Sequence, residues 1–153
     1  MIEYGVLGLL LVLASWLDWK ERRIPNWLCL IIAAAALIFA FATGGIGELG
    51  LNALHGIIAL VGGMALFALR VVGAGDAKLY AAVASWFSLF DGLRLFVSAA
   101  LAGLVLLMVW FVVRRMAGKR VTRAGDNPHD MLPYGIAISL GAMLTAMMNL
   151  HVI

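Results

Sequence analysis

The sequence predicts an all-α integral membrane protein, a bundle of six transmembrane helices with both termini on the non-cytoplasmic side. Three observations lead there. Of the 153 residues, 65% are hydrophobic and 12% charged, with a mean hydropathy of +1.06, whereas soluble domains carry roughly 25% charged residues. The apolar residues gather into runs whose lengths approach or match a hydrocarbon core of about 30 Å. Ten of the eleven Lys and Arg residues fall on one side when six spans are drawn, and only Arg94 on the other. By the positive-inside rule the basic side is cytoplasmic. The runs must be helical, because an open strand cannot satisfy its backbone in lipid. They fill most of the chain, so residues 1–153 are expected to form a single transmembrane domain.

Residues 2–17 make the first run, about 24 Å at 1.5 Å per residue. Glu3 precedes it, and neither a leading basic residue nor a small-residue cleavage site is present, so it reads as a helix and not as a secretory signal. Asp18 falls where this helix meets the cytoplasmic face. The polar loop Lys20-Glu21-Arg22-Arg23 follows, closed by Ile24-Pro25-Asn26, with Pro25 suited to a helix start because its missing N–H costs nothing there. The second run covers 27–43 and ends at Gly44-Gly45-Ile46-Gly47. The third covers 51–72. The fourth, 77–90, is again short, at about 21 Å. The fifth and sixth cover 93–113 and 132–150.

Small residues mark where these helices pack: Ala59 with Gly63, Ala99 with Gly103, and Ala77, Ala81 and Ser85 on one face of the fourth run. Trp19, Trp27, Trp86 and Trp110 fall near the boundaries, as interfacial aromatics do. Met143, Met147 and Met148 read as apolar filler. Cys29 is the single cysteine, which excludes an internal disulfide and a Cys-only metal site. The formal charge of +3 is too small to suggest a nucleic-acid partner.

Between the third and fourth runs stands Gly73-Ala74-Gly75-Asp76, followed by Lys78. A carboxylate at the edge of hydrocarbon is unfavourable unless it has a function. Glycine permits unusual backbone angles and close approach by another chain. The stretch therefore has two readings: a break in the helical run that aims Asp76 into a wet pocket, or a turn whose Asp caps the next helix.

Topology brings in a second acid. Asp18 ends an inward-running helix and Asp76 begins an outward-running one, so both lie at the same cytoplasmic depth. Two carboxylates brought together do not both ionise easily, and one keeps a proton near neutral pH. Such a pair suits hydrolysis: the ionised partner takes a proton from water while the protonated one supports the carbonyl oxygen. The helix dipole at Asp76 favours its anion, which makes Asp76 the preferred base.

These residues resemble the type IV prepilin peptidases. Asp18-Trp19-Lys20-Glu21-Arg22-Arg23-Ile24-Pro25-Asn26 is similar to the family's first aspartate motif, and Gly73-Ala74-Gly75-Asp76 to its Gly-x-Gly-Asp motif. Leu132-Pro133-Tyr134-Gly135 is similar to the entry of the family's last helix. The resemblance implies an aspartic endopeptidase of the inner membrane that clips the basic leader from prepilins or pilin-like proteins at the cytoplasmic face. It implies Asp18 and Asp76 as the catalytic pair, with no metal and no other cofactor. Gly73, Gly75, Lys78, Pro25 and Asn26 would support the site, and Pro133, Tyr134 and Gly135 would meet the substrate. Larger members carry a cytoplasmic insertion with paired cysteines; here the first helix leads directly to Asp18. That places the chain with the small, peptidase-only form of tight-adherence (Flp) pilus systems, with archaeal preflagellin peptidases as a similar group.

Other residues have plainer readings. Lys78 either tunes the pair or reaches for the headgroups as boundary lysines do. Asp126, His129 and Asp130 suit a solvated loop better than a metal, for which a lone His is insufficient. His55 and Asn52 are expected to make a polar contact between helices, and Asp91 to pair with Arg94. Two rival functions remain at the level of sequence: a non-catalytic scaffold of a pilus or secretion machine, and a small proton-coupled transporter subunit. The first has no use for the aspartates. The second favours acids near the midplane, where this chain has none.

Overall fold

The computed structural model describes residues 2–21, 23–116 and 134–151, the side chains of Arg114 and His151 apart. Every regular element among them is helical: α1 (Ile2–Glu21), α2 (Asn26–Ala68), α3 (Ala74–Ala84), a 3-10 turn (Leu89–Asp91), α4 (Gly92–Met116) and α5 (Tyr134–His151). Three helical stretches, Ile2–Glu21, Asn26–Ala68 and Leu89–Val113, are long and apolar enough to cross a membrane, and Tyr134–Leu150 is a shorter apolar helix.

At 43 residues α2 would measure about 64 Å if straight, twice a hydrocarbon core. It is not straight. Gly45 breaks it with φ 66° and ψ −153°, a backbone region that is essentially restricted to glycine. Contacts with α3 show how the two halves run. In the first half, Asn26 meets Lys78 and Ile32 meets Trp86, so the two segments advance together. In the second half, Gly56 faces Ser85 and Gly63 faces Ala77, so they run in opposition. The halves of α2 are therefore antiparallel, and the expected break at 44–47 reverses the chain.

The expected fourth run over 77–90 is shorter in the structure. Its helix, α3, has eleven residues, about 16 Å, too little to cross alone. The last turn tightens, with Trp86 and Phe87 N–H donating to the carbonyls of Val83 and Ala84 three residues back. The turn is tied to α2 on both sides: Trp86 Nε1 donates to Ile32 O at 3.0 Å, and His55 Nδ1 lies 2.9 Å from Phe87 O. His55 thus makes the interhelix contact expected of it. Asn52 Oδ1 is buried with no hydrogen-bond partner among the described residues, so the contact expected of Asn52 is not made through that oxygen. Asp91 pairs with Arg94 at 3.3 Å, as its spacing implied, and also accepts from Asn149.

Packing is inverted relative to a soluble protein. The buried core mixes small residues (Ala14, Ala36, Ala82, Ala142, Ala146) with Leu7, Leu11, Leu28, Ile32, Leu79 and Phe87. Large apolar side chains such as Leu9, Val12, Ile38, Val61 and Val105 point outward. An apolar exterior of that extent is stable only against lipid. The small-residue seams do bring backbones together: Gly63 lies against Ala77, Gly103 against Ala137, and Gly141 on the backbone of Ala99.

Between α2 and α3 the chain turns through a Schellman motif. Val71 N–H donates to Leu66 O and Arg70 N–H to Phe67 O, with Arg70 in the left-handed region at φ 58°, where glycine is usual. Two opposite outcomes follow for unfolding measured in detergent. Gly45→Ala is expected to destabilise by about 1–3 kcal/mol, while Arg70→Gly is expected to stabilise by about 1 kcal/mol through relief of the left-handed backbone.

Candidate active site

Asp18 stands in the last turn of α1, where the helix dipole disfavours an anion. It is nonetheless only 7% exposed. The opposing helix end makes this tolerable: Gly135 N–H, in the first turn of α5, donates to Asp18 Oδ2 at 2.9 Å. Charge-assisted bonds of this kind are roughly twice as strong as neutral ones, and the N-terminal dipole of α5 acts in the same direction. Gly135 cannot be larger without disturbance, because a Cβ there would lie 2.8 Å from Asp18 Oδ2 and 3.1 Å from Ile24 Cδ1.

Asp76 begins α3, outside the candidate membrane spans. It is the third residue after the N-cap, Gly73, and accepts a hydrogen bond from the Gly73 backbone. This is half of a capping box, in which an acid at that position reaches back to the N-cap N–H. So Asp76 helps close the helix start from the third position and not as the N-cap itself, and that is not its whole situation. Burial first, and the Asp18 carboxylate second, push Asp76 up from 3.8 to about 6, against the lowering effect of the Gly73 bond. The two acids, distant in sequence, therefore sense one another.

The glycines of Gly73-Ala74-Gly75-Asp76 act differently from the backbone freedom expected of them. Neither has a positive φ; among the described residues that conformation falls to Gly45 and Arg70. What matters is space. A Cβ on Gly73 would stand 2.8 Å from Asp76 Oδ2, and one on Gly75 would reach ordinary contact, 3.7 Å, with Ile24 Cβ.

Ile24 is the residue that sequence reading missed. It is buried, and its side chain lies between the first turn of α3, at Gly75, and the first turn of α5, at Gly135. One wedge thus spaces the two helix ends that hold Asp76 and receive Asp18. The signal was present, since an isoleucine inside a polar loop beside Pro25 has no lipid to face, but only the fold shows what it separates. Pro25 is the N-cap of α2, and its carbonyl accepts from Leu28 and Cys29 N–H. Lys78 Nζ donates to Asn26 Oδ1 at 3.0 Å, which ties the segment after Asp18 to the helix that carries Asp76. The two residues, expected to support the site, are thereby bonded to one another. Pro133, Asp126, His129 and Asp130 lie outside the described residues.

A groove opens at Asp76. Its volume is about 530 Å³, and its walls include Gly62 and Leu66 of α2, Tyr80 of α3, Ala100 of α4 and Tyr134 of α5. Tyr134, expected near the substrate, is half exposed there. Among the described residues no cluster of His, Cys, Asp and Glu is arranged to hold a metal ion. A buried hydrogen-bonded carboxylate beside a second one that retains its proton unusually well is an arrangement able to move protons to and from a water molecule.

A model of the type IV leader peptidase family matches residues 5–112. The matched stretch holds both aspartates, Ile24, Pro25, Asn26 and Lys78. No curated protein and no solved structure matches the chain.

Burying Asp76 opposes its ionisation, so folding stability should depend on pH through it. With the folded value raised from 3.8 to about 6, the penalty is fully present above pH 6 and vanishes below about 4. Asp76→Asn is therefore expected to be more stable than the parent at neutral pH, by about 3 kcal/mol. The gain should fade on acidification, which unfolding series at pH 7 and pH 4 will check.

Proposed function

The chain belongs to the type IV leader peptidase family, and from that premise we propose that it is an aspartic endopeptidase of the inner membrane, with Asp18 and Asp76 as its catalytic pair. Its substrate would be a prepilin or pilin-like protein, cut at the cytoplasmic face to release a basic leader. The observation that carries this reading is the mutual influence of two acids from separate motifs, one bonded to Gly135 and one raised to about 6. In the same proposal the chain crosses the bilayer six times, the halves of α2 making two of the crossings and residues 77–90, which join α3 to the turn after it, making another. Both termini then lie outside, and the positive-inside distribution of Lys and Arg supports that orientation.

The assignment of roles within the pair departs from the helix-dipole expectation. Asp18 accepts a strong backbone bond, which suits the ionised partner, while Asp76 is the acid that keeps its proton. A water between them gives a proton to Asp18 as its oxygen attacks the scissile carbonyl carbon. Asp76 donates its proton to the carbonyl oxygen, giving a neutral tetrahedral diol. Collapse of the diol breaks the C–N bond; Asp18 returns its proton to the leaving nitrogen, and Asp76 regains one from the diol hydroxyl. Proton count is conserved across the cycle. Because the acids interact, they titrate together, and apparent values belong to the pair.

Asp18→Asn and Asp76→Asn, each co-expressed with a pilin precursor, are expected to insert normally and to leave the precursor at full length, a loss of at least a thousandfold. Cleavage at the parental rate by either variant removes that residue from the mechanism. A wild type that binds precursor without shortening it points instead to a scaffold. For the parent, kcat/KM is expected to fall with rising pH along a limb no lower than about 6, as the Asp76 proton is lost. A rate that climbs through that limb would assign the proton elsewhere.

A further inference from the structure

The groove beside Asp76 carries an inference that rests on the peptidase reading and extends it to substrate selection. Its 530 Å³ are bounded almost entirely by carbon: Gly62, Leu66, Ala99 and Ala100 on two helices, with Tyr134 and Ile138 on a third. It is continuous with Asp76, so any scissile bond brought to that carboxylate has its flanking atoms in this space. Two neighbouring glycines show that part of the opening is kept clear. A Cβ on Gly63 would meet Ala77 Cβ at 3.0 Å, so Gly63 is explained by helix packing. A Cβ on Gly62 would meet nothing within 4 Å. Glycine weakens a helix interior, and at Gly62 no neighbour requires it. The space in front of it is what the missing side chain leaves.

From Asp76 the groove passes Leu66 and Gly62 to Ala59 along α2, two turns of helix, or about 10 Å by the helical rise. Small-residue faces of this kind receive other helices in lipid. We propose that the groove receives bulky apolar side chains from the substrate's own helix, immediately beside its scissile bond, and that Gly62 and Ala100 set the size it accepts. The wall of the groove is uncharged away from Asp76, so the occupant's polar leader lies outside it. Ala59 and Ala99, expected only to pack, also line the groove.

The test compares wild type, Gly62→Leu and Ala100→Leu in proteoliposomes on two precursors. One is a pilin precursor; the other is the same precursor with the large apolar residues of the first two turns after the cut changed to Ala. Each Leu variant is expected to lose at least tenfold in kcat/KM on the parent precursor, carried mainly by KM, and to recover most of it on the trimmed one. Gly62→Ala, which has room for its methyl group, serves as the folding control and should melt no lower than wild type. If Gly62→Leu fails to fold, Ala100→Leu decides from the opposite wall. Parental kinetics in both Leu variants overturn the proposal, as lipid occupancy of the groove would produce. Equal losses on both precursors also overturn it, because the defect is then not one of size. A change in oligomeric state of the Leu variants without a precursor-dependent loss assigns the groove to a second copy. A wild type that cleaves neither precursor defeats the peptidase reading itself, a result distinct from all of these.

Discussion

The bond from Gly135 N–H to Asp18 Oδ2 is the interaction on which the rest of the site depends. A carboxylate in the last turn of a helix is opposed by that helix's own dipole, and one so nearly excluded from water loses its hydration as well. Only a preorganised donor makes such a position tolerable. The first turn of α5 supplies it, and in doing so brings the C-terminal part of the chain against α1. Ile24 then fixes the spacing, because its side chain fills the gap between Gly75 and Gly135. Three helix ends converge around one apolar wedge, and the polar groups they carry face each other.

Such convergence explains why the site combines opposing electrostatic influences. Asp76 has a favourable helix position and a backbone donor in Gly73, yet burial and the neighbouring acid outweigh both. Under the proposed mechanism, a pair in which one member is held by a donor and the other is raised would have its acid and base roles separated before substrate arrives. That separation is what proton transfer at moderate pH requires. Asn26 and Lys78 add a polar tie across the same end of the bundle, so the loop after Asp18 and the helix after Asp76 do not move independently.

At the other end of the molecule the same logic serves stability alone. His55 and Trp86 bind carbonyls of the turn that closes α3 and of α2, and Asp91 joins Arg94 and Asn149. The first two reach backbone carbonyls, which lipid cannot satisfy, and Asp91 joins side chains of α4 and α5. They let α3 stop after eleven residues and leave its short axis to position Asp76.

By itself the sequence determined the class of protein, the two acids, the glycine break at 44–47 and the small-residue seams. Each of these is written locally, in apolar run length, in charge at the end of a run, or in residue size. It also carried the family resemblance, which the family match over residues 5–112 bears out. Tertiary structure decided what those signals do. It showed that Gly73 is small to leave room for its own Asp76, that Arg70 and not a motif glycine takes the left-handed turn, and that Ile24 spaces the site. It also showed that the fourth run is a short helix with a braced turn. The reason is common to all four: each depends on an atom brought near by another element, and periodicity along one chain does not encode that distance.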